Sequence, residues 1–266
     1  MEHLFPHDTY KTHENTRRGL ADRIFFNSRW CFHLRFIRVV LRYRALCVKK
    51  RDSDELWVWN SFQIFKAIER SGGRFHLEGF DNLRKVKEPV VVVSNHMSAM
   101  ETMIYPAIIS SFFPITFVVK EALVKGWAFG PIMRSRKPIA VGRVNPRKDF
   151  QTVLTEGCKI LEGGISIVIF PQATRHLNFN PENFNSLGIK LARRAGVKVL
   201  PAALKTDFWG NSRIKFLRDF GPINRSKRIH MAFGEPMAVE GNGSQQHQQC
   251  IKFIQSHFNR WKGSKI

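Results

Sequence analysis

The strongest constraint on the fold is an alternation. Short runs rich in valine and isoleucine, PVVVVS (89–94), ITFVVK (115–120), PIAVGR (138–143), ISIVIFP (165–171) and VKVLPAAL (197–204), are separated by stretches long enough for helices. Runs of this kind, mostly apolar, suit strands covered on both faces, as in parallel sheets whose crossovers are helices. Helices are predicted after Ser98, over 147–161 and over 186–195, with Gly163 and Gly196 as stops. The pattern therefore predicts an α/β fold with a mostly parallel central sheet flanked by helices. Residues 228–237 offer one more strand and 245–261 a closing helix.

The amino-terminal part has a different texture. Residues 1–22 are polar and patternless, and a loosely held arm is expected there. Beyond them Phe25, Phe32, Phe36, Val40 and Tyr43 recur at seven- and four-residue steps, while Arg35, Arg38 and Arg42 recur on another side. That is helical amphipathicity. An aromatic face beside an arginine face suits a helix docked in a membrane interface, and it equally suits a helix packed on its own domain with the arginines in water. A second helix, WVWNSFQIFKAIER, is ended by Gly72 and Gly73. The chain thus divides into 1–74, a polar arm with basic amphipathic helices expected to form a membrane-docking segment, and 75–266, the α/β domain with its closing helix.

Lys and Arg number 43 against 21 Asp and Glu, a net charge of +22, so an anionic partner is expected. No zinc-finger, RNA-recognition or helix-turn-helix signature accompanies that charge, and nucleic acid is not the expected partner. No apolar run approaches the roughly 18 residues of a membrane span, and no basic-then-apolar leader is visible in MEHLFPHDTYK. Residence on the cytoplasmic side is expected. Cys31, Cys47, Cys158 and Cys250 are scattered with neither disulfide nor zinc spacing, so free thiols and no metal site are expected.

In α/β sheets of this type, chemistry gathers beyond the carboxyl ends of the strands. Directly after PVVVVS stands Asn95-His96-Met97-Ser98-Ala99-Met100-Glu101. A five-residue step on one helix would splay His96 from Glu101, so the histidine belongs in the loop and the glutamate on the helix that follows. A carboxylate on one imidazole nitrogen fixes the tautomer and leaves the other nitrogen to take a proton. The same residues also spell a capping box, with Ser98 at the cap and Glu101 three further on. Arg143 and Arg175 follow two other strands, where a guanidinium can grip a phosphate, although an arginine on so basic a chain needs no function. The loop GWAFGP (126–131) suits the edge of an acyl-chain groove or a packed turn.

Taken together, N-H-x-x-x-x-E, G-R, F-P-x-x-T-R and V-L-P-A, each after its own strand, resemble in order and spacing the four blocks of the glycerolipid (lysophospholipid) acyltransferase family. The resemblance covers about residues 75 to 237. It implies acyl transfer from acyl-CoA or acyl-carrier protein to a lysophospholipid hydroxyl, foremost that of 1-acyl-glycerol-3-phosphate, in phospholipid biosynthesis. His96 would be the general base and Glu101 its orienting carboxylate. Arg143, Pro171, Gln172, Ala173, Thr174 and Arg175 would bind the acceptor, and Pro201 would lie near the acyl substrate. The thioester is a co-substrate, with no cofactor and no metal. An anionic membrane surface, and an acyl-carrier protein if that is the donor, would be the partners of a peripheral or monotopic enzyme. Two departures bear on specificity. Glu101 stands where the family more often has aspartate, and FPQATR replaces F-P-E-G-T-R, so Gln172 has lost a charge and Ala173 a glycine's freedom. Another lipid acceptor, such as a lyso-aminolipid or glycolipid, or a catalytically silent lipid-binding relative, are the alternatives that remain open.

Overall fold

In the computed structural model the described residues are 4–19, 22, 24, 28–172, 174–212 and 219–263. In chain order they form β1 (Thr9–Lys11), α1 (Arg29–Val48), α2 (Asp54–Arg70), β2 (Phe75–Glu78), α3 (Phe80–Arg84), β3 (Val90–Ser94) and α4 (Met100–Ile108). There follow β4 (Ile115–Lys120), α5 (Glu121–Lys125), α6 (Gly130–Ser135), β5 (Ile139–Val141), α7 (Pro146–Glu162), β6 (Ser166–Ile169), α8 (Leu187–Ala195), β7 (Lys198–Lys205), β8 (Ile229–Phe233) and α9 (Ser244–Gly263).

The eight strands make one sheet in the order β1-β2-β8-β7-β3-β6-β4-β5. At its centre β3 is parallel to β6 on one side and β7 on the other, with Val92 opposite Val168 and Leu200. Parallel pairing continues through β4 to β5. Beyond β7 the direction reverses, because β8 is antiparallel to β7 while β2 runs with β8, and β1 closes the edge antiparallel to β2. The carboxyl ends of β3, β4, β5, β6 and β7 therefore share one end of the sheet, and those of β2 and β8 face the other.

Every residue of β3 is buried, which is why VVVVS carries no polar alternation. Val90 and Val92 point into a core built with α1, α2 and α4, whereas Val91 and Val93 point into one built with α7, α8 and α9. Gly188 lets α8 sit close on β3, since a Cβ there would lie 2.7 Å from Val93 Cγ2. Helices α7 and α8 are followed by Gly163 and Gly196 at their carboxyl caps, Gly196 with a positive φ of 67°.

One amino-terminal expectation is corrected. The arm is tied down: Phe5 is buried and stacks on Phe80 at 4.8 Å. Tyr10 and Thr12 donate hydroxyl hydrogen bonds of 2.7 and 2.6 Å to the buried Glu69. A three-residue edge strand has no period for a sequence reading to detect, and its stability comes from those tertiary contacts. The aromatic face of α1 is likewise covered by protein, with Phe32 and Phe36 set edge-on against Trp209 at 4.8 and 5.0 Å. Arg38 and Arg42 remain exposed, along with Trp30, Leu34 and Leu41. Arg23 and Phe25 lie outside the described residues. No helix of the described residues is long and apolar enough to cross a membrane. Cys47, Cys158 and Cys250 are free thiols.

Candidate active site

The site begins where β3 ends. Asn95 does not leave the sheet: its side-chain amide donates to Leu204 C=O at 2.8 Å and its Oδ1 accepts from Leu204 N–H at 2.9 Å, mimicking one more rung of the β3–β7 ladder. His96 is the next residue, so the loop that carries it springs from a fixed point.

Glu101 lies in the first turn of α4 and is fully buried. Its Oε1 accepts from His96 Nδ1 at 2.9 Å, Met97 N–H at 2.6 Å and Ser98 N–H at 2.8 Å. Its Oε2 accepts from Ser98 Oγ at 2.8 Å and Thr206 Oγ1 at 2.9 Å. Burial favours the neutral acid, but the hydrogen bond and charge of His96, with the Ser98 and Met97 N–H groups, outweigh it and hold the carboxyl below its ordinary range. The expected cap is half present. Ala99 occupies the cap position, while Ser98, one residue earlier, gives both N–H and Oγ to Glu101 and accepts from Met100 N–H at 3.1 Å. Capping and histidine-orienting are therefore one network.

The His96 side chain is 13% exposed, and its ring stacks on Phe170 at 4.3 Å. With Nδ1 facing Glu101, Nε2 is the nitrogen left for chemistry, and it has no hydrogen bond among the described residues. The segment after β6 wraps the same backbone: Gln172 Oε1 accepts from His96 N–H at 2.9 Å, and His176 N–H donates to His96 C=O at 2.9 Å. Thr174 Oγ1 hydrogen-bonds His176 Nε2 at 2.7 Å, and Asn185 Nδ2 donates to Pro171 C=O. Ala173 lies outside the described residues.

Arg175 Nη1 is held by Asp219 Oδ1 at 2.5 Å and Asn211 Oδ1 at 3.1 Å, and Asn211 in turn donates to Met97 C=O at 3.1 Å. Arg143 sits at φ 61°, left-handed backbone, in a turn fixed by Asp149, whose carboxylate accepts from Gly142 N–H at 3.1 Å and Arg143 N–H at 2.8 Å. Partial burial is the first cause lowering the Arg143 guanidinium pKa. Asp149 opposes it, and the charge of Arg175 adds to it, so the two guanidiniums lie in each other's field. The structure thus joins His96, Glu101, Gln172 and Arg175 through hydrogen bonds and brings Arg143 electrostatically alongside. Pro201 is set apart, in the body of β7 opposite Val93 and packed on Gly234. Trp127 of the GWAFGP loop is 70% exposed.

Sequence reasoning missed Asn95, Ser98 as a ligand of the carboxylate, Phe170, Thr206 and Asn211. Thr206 follows β7 directly, and the rule that chemistry gathers beyond strand ends would have reached it. Among the described residues no group of three or more His, Cys, Asp or Glu is placed to hold a metal ion.

A fully buried carboxylate, ionised and bound to an imidazole whose second nitrogen faces outward, is a proton-accepting device. The charges of Arg143 and Arg175 reach each other, and paired guanidiniums are chemically suited to a phosphate. Comparison with known proteins agrees with that chemistry. The family model described as Acyltransferase matches residues 74–205. The chain is 29% identical over 210 residues to a 1-acyl-sn-glycerol-3-phosphate acyltransferase of Pseudomonas aeruginosa, covering 78% of this chain and 74% of that one. It is 30% identical over 124 residues to a probable 1-acyl-sn-glycerol-3-phosphate acyltransferase of Mycoplasma pneumoniae, covering 44% of this chain and 45% of that one. Its fold matches the crystal structure of the 1-acyl-sn-glycerophosphate (LPA) acyltransferase PlsC from Thermotoga maritima, with a TM-score of 0.68 at 18% identity over 92% of this chain and 99% of that one.

Proposed function

We propose that this chain, matched to the acyltransferase family over residues 74–205, is an O-acyltransferase of phospholipid biosynthesis that transfers a fatty acyl group from a thioester to the free hydroxyl of 1-acyl-glycerol-3-phosphate. The observation that carries this reading is the His96–Glu101 pair at 2.9 Å, with Glu101 fully buried and supplied with four further donor hydrogen bonds. A carboxylate so fully satisfied stays ionised, which fixes the proton of His96 on Nδ1 and stabilises the imidazolium that forms.

In the proposed reaction, His96 Nε2 takes the acceptor's hydroxyl proton as the oxygen attacks the thioester carbonyl. The tetrahedral adduct collapses, the carbon–sulfur bond breaks, and the imidazolium returns the proton to the thiolate. The thioester itself supplies the activated acyl group, so no resident cofactor enters the scheme. Arg143 and Arg175 bind the acceptor phosphate through charge-assisted hydrogen bonds. Pro171, Gln172 and Thr174 shape the same side of the site, and Gln172 acts through the His96 main chain. Acyl-CoA and acyl-carrier protein are both anionic donors suited to a chain of net charge +22, as is the anionic membrane on whose cytoplasmic side we place the enzyme peripherally.

The test is mass spectrometry of lipids after incubating the protein, or its His96→Ala variant, with vesicles, either donor and several lysolipids. Acylation of lysophosphatidic acid that falls about 100- to 10,000-fold in the variant supports the reading. Near-wild-type activity of the variant removes His96 from the chemistry, and product from a different acceptor alone reassigns the substrate.

A further inference from the structure

The Arg175 guanidinium is held from one side. Its Nη1 carries two protons, and two oxygens accept from it, Asn211 Oδ1 at 3.1 Å and Asp219 Oδ1 at 2.5 Å. Nε and Nη2 have no hydrogen bond among the described residues, so the edge they form is the one left for a ligand. That edge carries two parallel N–H groups, a match for two oxygens of one phosphate. An arginine free in solvent must give up rotamer freedom to bind; this one has given it up already.

The two holders stand on braced backbone. Asn211 and Asp219 both follow V-L-P-A, the last of the four motif blocks, and they lie on two stems that pair with each other. Gly210 N–H donates to Pro222 C=O at 2.8 Å, and Asn224 N–H donates to Phe208 C=O at 2.7 Å. A Cβ on Gly221 would collide with Gly210 C=O, so the stems touch at a pair of glycines. Trp209 Nε1 donates to Asp219 C=O at 2.9 Å, and His33 of α1 donates through Nε2 to Gly221 C=O at 2.9 Å.

Asn211 also reaches the base. Its Nδ2 donates to Met97 C=O at 3.1 Å, and Met97 N–H donates in turn to Glu101 Oε1 at 2.6 Å. One side-chain amide thus joins Arg175, 36 positions away, to the loop of His96, with Met97 114 positions away.

We infer that Asn211, assisted by Asp219, is a positioning residue that fixes the Arg175 guanidinium in the orientation, and at the separation from His96, that a phosphate-bearing acceptor requires. This deepens the proposed function and rests on it for the identity of the acceptor. Asn211 acts on the reaction through Arg175 and Met97, by holding phosphate grip and base in one frame before the acceptor arrives.

The test separates the two ends of the amide. Asn211→Ala loses both hydrogen bonds, whereas Asn211→Asp keeps an oxygen toward Arg175 and loses the N–H toward Met97 C=O. Affinity of the full chain for a short-chain lysophosphatidic acid, dissolved as monomers, is measured by calorimetry without donor. The kcat is measured with acyl-CoA and with acyl-carrier protein, and circular dichroism checks that each variant folds. Asn211→Ala is expected to weaken binding by about tenfold and to lower kcat by about tenfold. Asn211→Asp should bind within about threefold of wild type while its kcat falls as far as that of Asn211→Ala, a split that a loss of stability alone does not produce. With Arg175→Ala already present, Asn211→Ala should weaken binding no further. Wild-type affinity in Asn211→Ala, an undiminished loss in the Arg175→Ala background, or equally weak binding by both Asn211 variants overturns the proposal, as does a wild-type chain that does not bind this acceptor. Binding that depends on Asn211 and Arg175 with no acyl transfer from either donor leaves the positioning role standing and counts against the acyltransferase reading alone.

Discussion

The main-chain N–H of His96 donates to the side-chain oxygen of Gln172 at 2.9 Å, although the two residues lie 76 positions apart. The glutamine that departs from the resembled motif therefore holds the backbone of the imidazole-bearing residue. A carboxylate and a carboxamide accept that hydrogen bond equally well, so the loss of charge does not by itself imply a new acceptor. Gln172→Glu is expected to keep kcat within about threefold, whereas Gln172→Leu leaves the part-buried His96 N–H without this partner and lowers kcat by roughly tenfold at constant acceptor KM. Steady-state kinetics on the two variants check this.

Thr206 anchors the far oxygen of Glu101 and is itself fully buried. Thr206→Val removes a donor from an ionised, solvent-free carboxylate, which is expected to cost about 1–3 kcal/mol of stability and to lower kcat. Thr206→Ser restores the hydroxyl and should recover most of both. Urea unfolding alongside kcat separates this from a packing effect, because valine fills the same space as threonine.

Arg143 presents a guanidinium whose turn is fixed through its main chain, so truncating its side chain leaves the Asp149 hydrogen bonds in place. Arg143→Ala is expected to raise the acceptor KM by about 10- to 100-fold with little change in kcat, the value of one or two charge-assisted hydrogen bonds. Arg143→Lys should fall between, keeping charge but losing the planar fork. An acceptor KM that does not move removes Arg143 from the phosphate site.

His230 gives the fold a dependence on acid. It is 7% exposed, stacks on Trp261 at 5.2 Å and lies 5.4 Å from the His76 ring. Burial first, then the charges of His76, Lys205, Arg228 and Arg260, push its pKa down to about 3. The unfolded chain, with an ordinary imidazole near 6.5, thus takes up a proton that the folded protein refuses. Its contribution is fully present above about pH 6.5 and is lost progressively as the pH falls toward 3, at up to about 1.4 kcal/mol per unit. His230→Gln should flatten the decline in denaturant midpoint between about pH 7 and 5 relative to wild type.

Much of the sheet was legible because β3, β4, β6 and β7 are largely apolar, and α7 and α8 carry their own stops at Gly163 and Gly196. The edge strand β1 and its neighbour β2 were not, since neither carries a run of valine and isoleucine and each is placed by its pairing with distant segments. His96 and Glu101 were found by their place after a strand, and the loop-then-helix geometry inferred from their spacing is the observed one. Asn95 was in view, but its role depends on Leu204, 109 positions away, and nothing local records such a pairing. The aromatic stripe of α1 shows the remaining limit: periodicity identifies the apolar face, while Trp209 and Phe220, far along the chain, decide what covers it.

The rung that Asn95 closes with Leu204 sets a timescale. A loop tethered only by its own backbone opens in nanoseconds to microseconds, but the amides of His96 and Met97 are held by Gln172 and by buried Glu101, in a loop whose root Asn95 pins to β7, so they open only with a wider rupture of the site. Their exchange with deuterium should accordingly be among the slowest in the molecule. Such a site arrives at each encounter already assembled, and the entropy of arranging its base is settled once, during folding, instead of at every turnover.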